Sequence, residues 1–90
     1  MNSNGNWEVK VNERVYRNLA RFPQRDHDQV DAILKEELVS NPFLGDIKKM
    51  AGEENIWRRR KGSYRIFFKI FADSKVILVF RVERRTSKTY

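Results

Sequence analysis

Arg58, Arg59, Arg60 and Lys61 are four consecutive cations, followed by Gly62-Ser63 and then Tyr64-Arg65. A guanidinium stays charged at any physiological pH and presents a planar fork of donors that matches a phosphate. In an extended strand successive side chains alternate, so Arg58 and Arg60 share one face. Gly62-Ser63 is a turn signal. The residues after it, Tyr64 to Phe71, read as a strand rich in aromatic and β-branched side chains. The stretch is therefore a hairpin carrying guanidinium groups on a sheet. A plainer reading is a solvated charge run that discourages edge-to-edge pairing.

Other chemistries find little support. The chain has no Cys, so it has neither disulfides nor thiolate chemistry, which fits a reducing cytoplasm. Its one His, His27, stands in the first turn of a helix without metal-spaced partners, and reads as a surface or capping residue. Gly45 and Gly52 do not fit phosphate-loop spacing. No metal or other cofactor is expected, and an enzyme built from this sequence would work with Arg, Lys and Tyr. No signal peptide is visible in the polar start, and the longest apolar run, Val76 to Phe80, is too short to span a bilayer.

The net charge of +7 is unevenly placed. Residues 1–47 hold 6 Lys/Arg against 8 Asp/Glu, and residues 48–90 hold 13 against 4, giving −2 and +9. Such a gradient points to one cationic surface facing a polyanion. Nucleic acid is the first candidate, an acidic protein the second and an anionic membrane the third, since the basic half reads as strands and not as an amphipathic helix.

The elements that position these cations follow from periodicity. Trp7 to Val11 alternates and reads as a half-buried strand. Asn12 caps a helix whose Val15, Leu19 and Phe22 share a face, and Pro23 ends it. Asp26 is the expected cap of a second helix, with Gln29 three residues on. Val30, Ile33, Leu34, Glu37 and Leu38 mark that helix, and Asn41-Pro42 breaks it. Residues 41–55 read as a loop. Strands are expected at Ile56–Lys61, Tyr64–Ala72 and Lys75–Arg84, with Asp73-Ser74 as the last tight turn. The order β-α-α-β-β-β predicts an α+β fold: a four-stranded, mostly antiparallel sheet with two N-terminal helices on one face. All 90 residues make one small domain, with residues 1–6 as a flexible start. Tyr64, Ile66, Phe68 and Ile70, with Val76, Leu78, Phe80 and Val82, should face the helices. Arg65, Phe67, Lys69, Phe71 and Arg81 should form an uncovered, cationic and partly aromatic face.

The pieces WEVKV, ARFP, NPF, GDIKKMAG, WRRRKGSYRIFFKI, VILVFRVERR and the final Tyr90, in this order, resemble toxins of the RelE/ParE superfamily from bacterial toxin–antitoxin modules. The resemblance runs over nearly the whole chain and implies the α+β fold already reached. RelE-like members cut messenger RNA in the ribosomal A site, whereas ParE-like members poison DNA gyrase on the same fold. For the nuclease, the resemblance implies catalytic roles for Arg58 and Arg60, for Arg65 after the strand-starting Tyr, for Arg85 (with Arg84 as the alternative) and for Tyr90. Lys48, Lys49, Arg59, Lys61, Lys69, Arg81, Arg84 and Lys88 would add nucleic-acid contacts. Arg59 departs from the pattern, for it stands where the family usually buries an apolar residue.

RNA cleavage uses the substrate's own 2′-OH as nucleophile. It needs a base for that proton, charge stabilisation at phosphorus and protonation of the leaving 5′-oxygen. Arg supplies the charge, and its basicity makes it a poor general acid. A Tyr among cations is drawn toward the phenolate, which makes Tyr90 the candidate base. The products would be a 2′,3′-cyclic phosphate and a 5′-OH. The expected partners are the ribosome with mRNA in its A site and an acidic cognate antitoxin that covers the cationic face around Phe67 and Phe71. Operator DNA would be reached only through that antitoxin, no membrane is expected, and the location is the cytoplasm.

Overall fold

The computed structural model describes residues 7–43, 45–50, 52 and 55–84. Strand β1 (Glu8–Val11) leads into helix α1 (Glu13–Leu19). The Asn12 side chain caps α1 by accepting from the Arg14 N–H at 2.8 Å, which satisfies one of the otherwise orphaned first-turn donors. Helix α2 (Gln24–Ala32) continues through a π-helical segment (Ile33–Glu37) into a last turn, α3 (Leu38–Ser40). Asn41 then leaves the helix in an extended conformation, and its side chain accepts from the Phe43 N–H at 2.9 Å. Three further strands, β3 (Ile56–Lys61), β4 (Tyr64–Phe71) and β5 (Val76–Arg84), follow β2 (Asp46–Lys49).

The strands lie in the order β1-β5-β4-β3-β2, with β1 parallel to β5 and the other pairs antiparallel. The α+β class, the helix-then-strand order and the mostly antiparallel sheet match the sequence pattern. Strand β2 is an addition, since residues 41–55 read as loop and the sheet has five strands instead of four. The turn-forming residues sit at the ends of that stretch, with left-handed Gly45, Gly52 and Asn55. Between them Asp46–Lys49 is free to pair with β3.

A second difference lies at the start of α2. The helix begins at Gln24 with Pro23 as its cap residue, so Asp26 is not a cap but a buried residue of the first turn. Proline is well suited to a helix start because it has no N–H to leave unsatisfied.

The core lies between helices and sheet. It joins Val15, Leu19, Val30, Ile33, Leu34 and Leu38 to Tyr64, Ile66, Phe68 and Ile70 of β4 and Ile77, Val79 and Val82 of β5. Strand β4 alternates as expected. In β5 the expected face is right only at Val82: Ile77 and Val79 point inward, while Val76, Leu78 and Phe80 are half-buried. The cause is a bulge. Phe67 pairs with Arg81 but Phe68 pairs with Val79, so Phe80 is an extra residue and the alternation changes phase there.

Candidate nucleic-acid interface

The hairpin of β3 and β4 turns at Gly62-Ser63, with Lys61 directly opposite Tyr64. Gly62 has φ +58°, a left-handed angle suited to a two-residue hairpin turn. This register puts Arg60 opposite Arg65 and Arg58 opposite Phe67. Extending across neighbouring strands, one row of side chains reads Asp46, Arg60, Arg65, Glu83. The next reads Lys48, Arg58, Phe67, Arg81. Both rows lie on the face away from the helices, opposite the buried Ile66 and Phe68. Lys69, opposite Ile56 and Leu78, lies on that same face.

Carboxylates hold part of this array. Arg60 Nε lies 3.2 Å from Asp46, and Glu83 sits 4.0 Å from Arg65 while also pairing with Arg81. Among the described residues Arg58 has no ion pair, and the buried Nε donors of Arg58 and Arg65 have no hydrogen-bond partner. Buried donors are normally satisfied, so these two are open to an acceptor that the described residues do not supply. The arrangement can bind a phosphodiester and spread its developing charge over several guanidinium groups.

Other cations expected at this surface lie elsewhere. Arg59 and Lys61 alternate onto the helix side of β3, where both are engaged by Glu37 of the π-helical segment. Arg59 donates at 2.7 Å and is only 7% exposed. Its guanidinium packs against Gly45, where an added Cβ would stand 2.7 Å from Arg59 Nη2. Glu37 is held below the usual carboxylate range, first by the hydrogen bond from Lys61, against the opposing effect of burial. Arg84, opposite Tyr64, also faces the helices and donates from Nε to Asp26 at 2.8 Å. Asp26 accepts from the Tyr64 hydroxyl as well. Burial, then the Asp26 bond, pushes the Tyr64 phenol above its ordinary value. Lys49, opposite Trp57, sits 6.0 Å from that indole's centre. Thus Arg59, Lys61, Lys49 and Arg84 leave the array, and Lys48, Arg58, Arg60, Arg65, Lys69 and Arg81 remain together. Arg85, Lys88 and Tyr90 lie outside the described residues.

Sequence reasoning did not find the roles of Glu37 and Asp26. A signal existed for Glu37, which falls within the apolar stripe of its helix just as Arg59 falls where an apolar residue is usual. His27 is half-buried in α2, and its buried Nδ1 has no hydrogen-bond partner among the described residues. No helix among them is long and apolar enough to cross a membrane.

The chain is thus a five-stranded sheet with helices on one face and arginines gathered on the other. Residues 10–88 match the family described as ParE toxin of the type II toxin–antitoxin system, parDE. The chain belongs to this family, within the RelE/ParE superfamily of type II toxins. It is 26% identical over 82 residues to a candidate toxin RelE1 of Methanocaldococcus jannaschii, covering 88% of this chain and 90% of that protein. Among solved structures it resembles the toxin–antitoxin complex RelBE2 of Mycobacterium tuberculosis, with a TM-score of 0.80, 22% identity and coverage of 89% of this chain and 99% of the other. It also resembles the RelB–RelE antitoxin–toxin complex of Methanococcus jannaschii, with a TM-score of 0.65, 28% identity and coverage of 84% and 89%.

Proposed function

We propose that this toxin is an endoribonuclease that cuts messenger RNA in the ribosomal A site and so stops translation in the cytoplasm. The observation that carries the reading is the juxtaposition of Arg58, Arg60 and Arg65 on a face that no described element covers. Guanidinium groups at this spacing bind successive phosphates and stabilise the charge that develops at phosphorus. The 2′-oxygen attacks phosphorus, the bond to the 5′-oxygen breaks, and a 2′,3′-cyclic phosphate and a 5′-OH result. Tyr90 takes the 2′-OH proton, Arg85 stabilises the leaving oxygen, since Arg84 is engaged by Asp26 behind the sheet, and the 5′-oxygen takes its proton from solvent water. An acidic antitoxin neutralises the toxin by covering the cationic face. The relatives crystallised as toxin–antitoxin complexes support such a partner.

A second reading is favoured by the family description, which names ParE. In it the same face binds DNA gyrase and no RNA is cut. Induction of the chain in growing cells separates the two. Loss of protein synthesis ahead of any change in plasmid supercoiling supports the nuclease. Loss of supercoiling with intact mRNA overturns it.

A further inference from the structure

The bulge in β5 has a consequence on the cationic face. A regular strand would send Phe80 and Arg81 to opposite sides. With Phe80 as the extra residue, both stand on the outer side against Phe67. The Phe67 and Phe80 rings are tilted by 46° with centroids 6.5 Å apart, and the Arg81 guanidinium lies 5.5 Å from the Phe67 centroid. Glu83 holds that guanidinium by an ion pair. Both rings are only half-buried. Arg58 is the cross-strand neighbour of Phe67, one strand spacing of about 5 Å away, and Lys69 follows two residues along β4.

We infer that Phe67, Phe80 and Arg81 form a stacking site for one unpaired nucleobase of the RNA whose phosphates meet Arg58, Arg60 and Arg65. The inference rests on the nuclease reading and adds a base contact to it. Unpaired bases stack on aromatic rings and on Arg guanidinium planes, and every base has the required flat face. The surroundings choose the occupant. An aliphatic side chain could cover the rings, but it would desolvate Arg58, Lys69 and Arg81 without bringing charge to meet them. A nucleotide brings its own phosphate beside its base. The site therefore selects a planar group carried on an anionic backbone.

Two experiments test the inference, one independent of cleavage. Short oligouridylates are titrated at low salt against the same chain built from dihydrouridine, whose ring is not planar and stacks poorly. The wild type should bind the planar chain roughly tenfold tighter. Phe67→Leu and Phe80→Leu, which keep apolar volume, should shrink that ratio toward one, as should Arg81→Gln in part. In single-turnover cleavage on programmed ribosomes, dihydrouridine at one A-site codon position should slow the wild type by a similar factor and slow Phe67→Leu no further. Equal affinity of the wild type for the two oligomers overturns the site. So do Leu variants that keep the ratio, or that lose only antitoxin binding, which would assign the rings to a protein partner. If the wild type discriminates between the oligomers but leaves mRNA intact, the nuclease reading fails and the base site stands.

Discussion

Arg59 and Glu37 meet at 2.7 Å across the interface between β3 and the π-helical segment, with the Arg59 side chain 9% exposed and that of Glu37 27%. Glu37 also receives Lys61, so one carboxylate holds two alternate residues of the strand whose intervening cation, Arg60, faces outward. Removing the carboxylate takes from a buried guanidinium the ion pair that Glu37 supplies. Glu37→Ala should destabilise the protein by roughly 2–4 kcal/mol in urea unfolding. The double change Glu37→Leu with Arg59→Met should recover most of that loss, because well-packed apolar residues often replace a buried ion pair at no cost. A double variant no more stable than Glu37→Ala would show that the pair is needed for more than mutual neutralisation.

The pH dependence of this bracket has a definite sign. Glu37 is depressed in the folded state, so it binds its proton less readily there than in the unfolded chain. Its contribution is present above the ordinary carboxylate value and is lost as pH falls through the lower, folded value. Urea midpoints should therefore drop on acidification in the wild type, and drop less in the Glu37→Leu, Arg59→Met variant. Parallel acid profiles for the two would assign the acid sensitivity to other carboxylates.

Tyr64 titrates in the opposite sense. Burial and the bond to Asp26 raise its folded value, so its contribution is present below the ordinary phenol value and is lost as pH rises through the folded one. Tyr64→Phe keeps the ring in the core and removes the donor to Asp26, which still receives Arg84 at 2.8 Å. The variant should lose about 1–2 kcal/mol at neutral pH and show a flatter alkaline limb in thermal melts. An alkaline limb as steep as that of the wild type would place the titrating group elsewhere.

How much of this was legible in the sequence depends on what each signal encodes. Local signals were read well: the Asn12 cap, the end of the helical region at Asn41-Pro42 and the alternation of β4 depend on neighbours in the chain. Features set by tertiary pairing were not. Strand β2 is four residues of ordinary composition that become a strand because β3 offers an edge. The bulge at Phe80 has no residue signature, yet it reverses which residues of β5 before it face the core. On the candidate site, alternation correctly placed Arg58, Arg60 and Arg65 together. It also implied that Arg59 and Lys61 face the helices, but charge alone suggested that all the cations serve one surface. Asp26 was ambiguous because an acidic residue near a helix start serves equally as a cap or as an anchor for Arg84 and Tyr64.

The three gathered arginines should contribute to binding as well as to the chemical step. Arg60 and Arg65 have part of their charge met by Asp46 and Glu83, and the array sits at a half-exposed surface. Replacing Arg58, Arg60 and Arg65 together with Gln should leave the fold intact, because pairs exposed to this degree contribute little to stability. Ribosome or RNA affinity should fall sharply at low salt. The slope of log affinity against log salt should flatten by roughly 2, at about 0.7 per lost contact to single-stranded RNA. An unchanged slope would remove these residues from the interface.

Two variants divide the proton transfers. Tyr90→Phe keeps the ring and removes only the hydroxyl. If that hydroxyl takes the 2′-OH proton, single-turnover cleavage on the ribosome should fall by ~100-fold or more with binding nearly unchanged. Of the two acidic residues in the array, Asp46 holds Arg60, and Glu83 lies 4.0 Å from Arg65 and pairs with Arg81. The Glu83 carboxylate is the alternative acceptor on the same face. Glu83→Gln keeps the shape and removes the negative charge, so with Tyr90 as the base it should change cleavage by less than about tenfold, through the positions of Arg65 and Arg81. The reverse pattern, a slow Glu83→Gln with a Tyr90→Phe near wild type, would move the base to Glu83 while leaving the arginine roles unchanged.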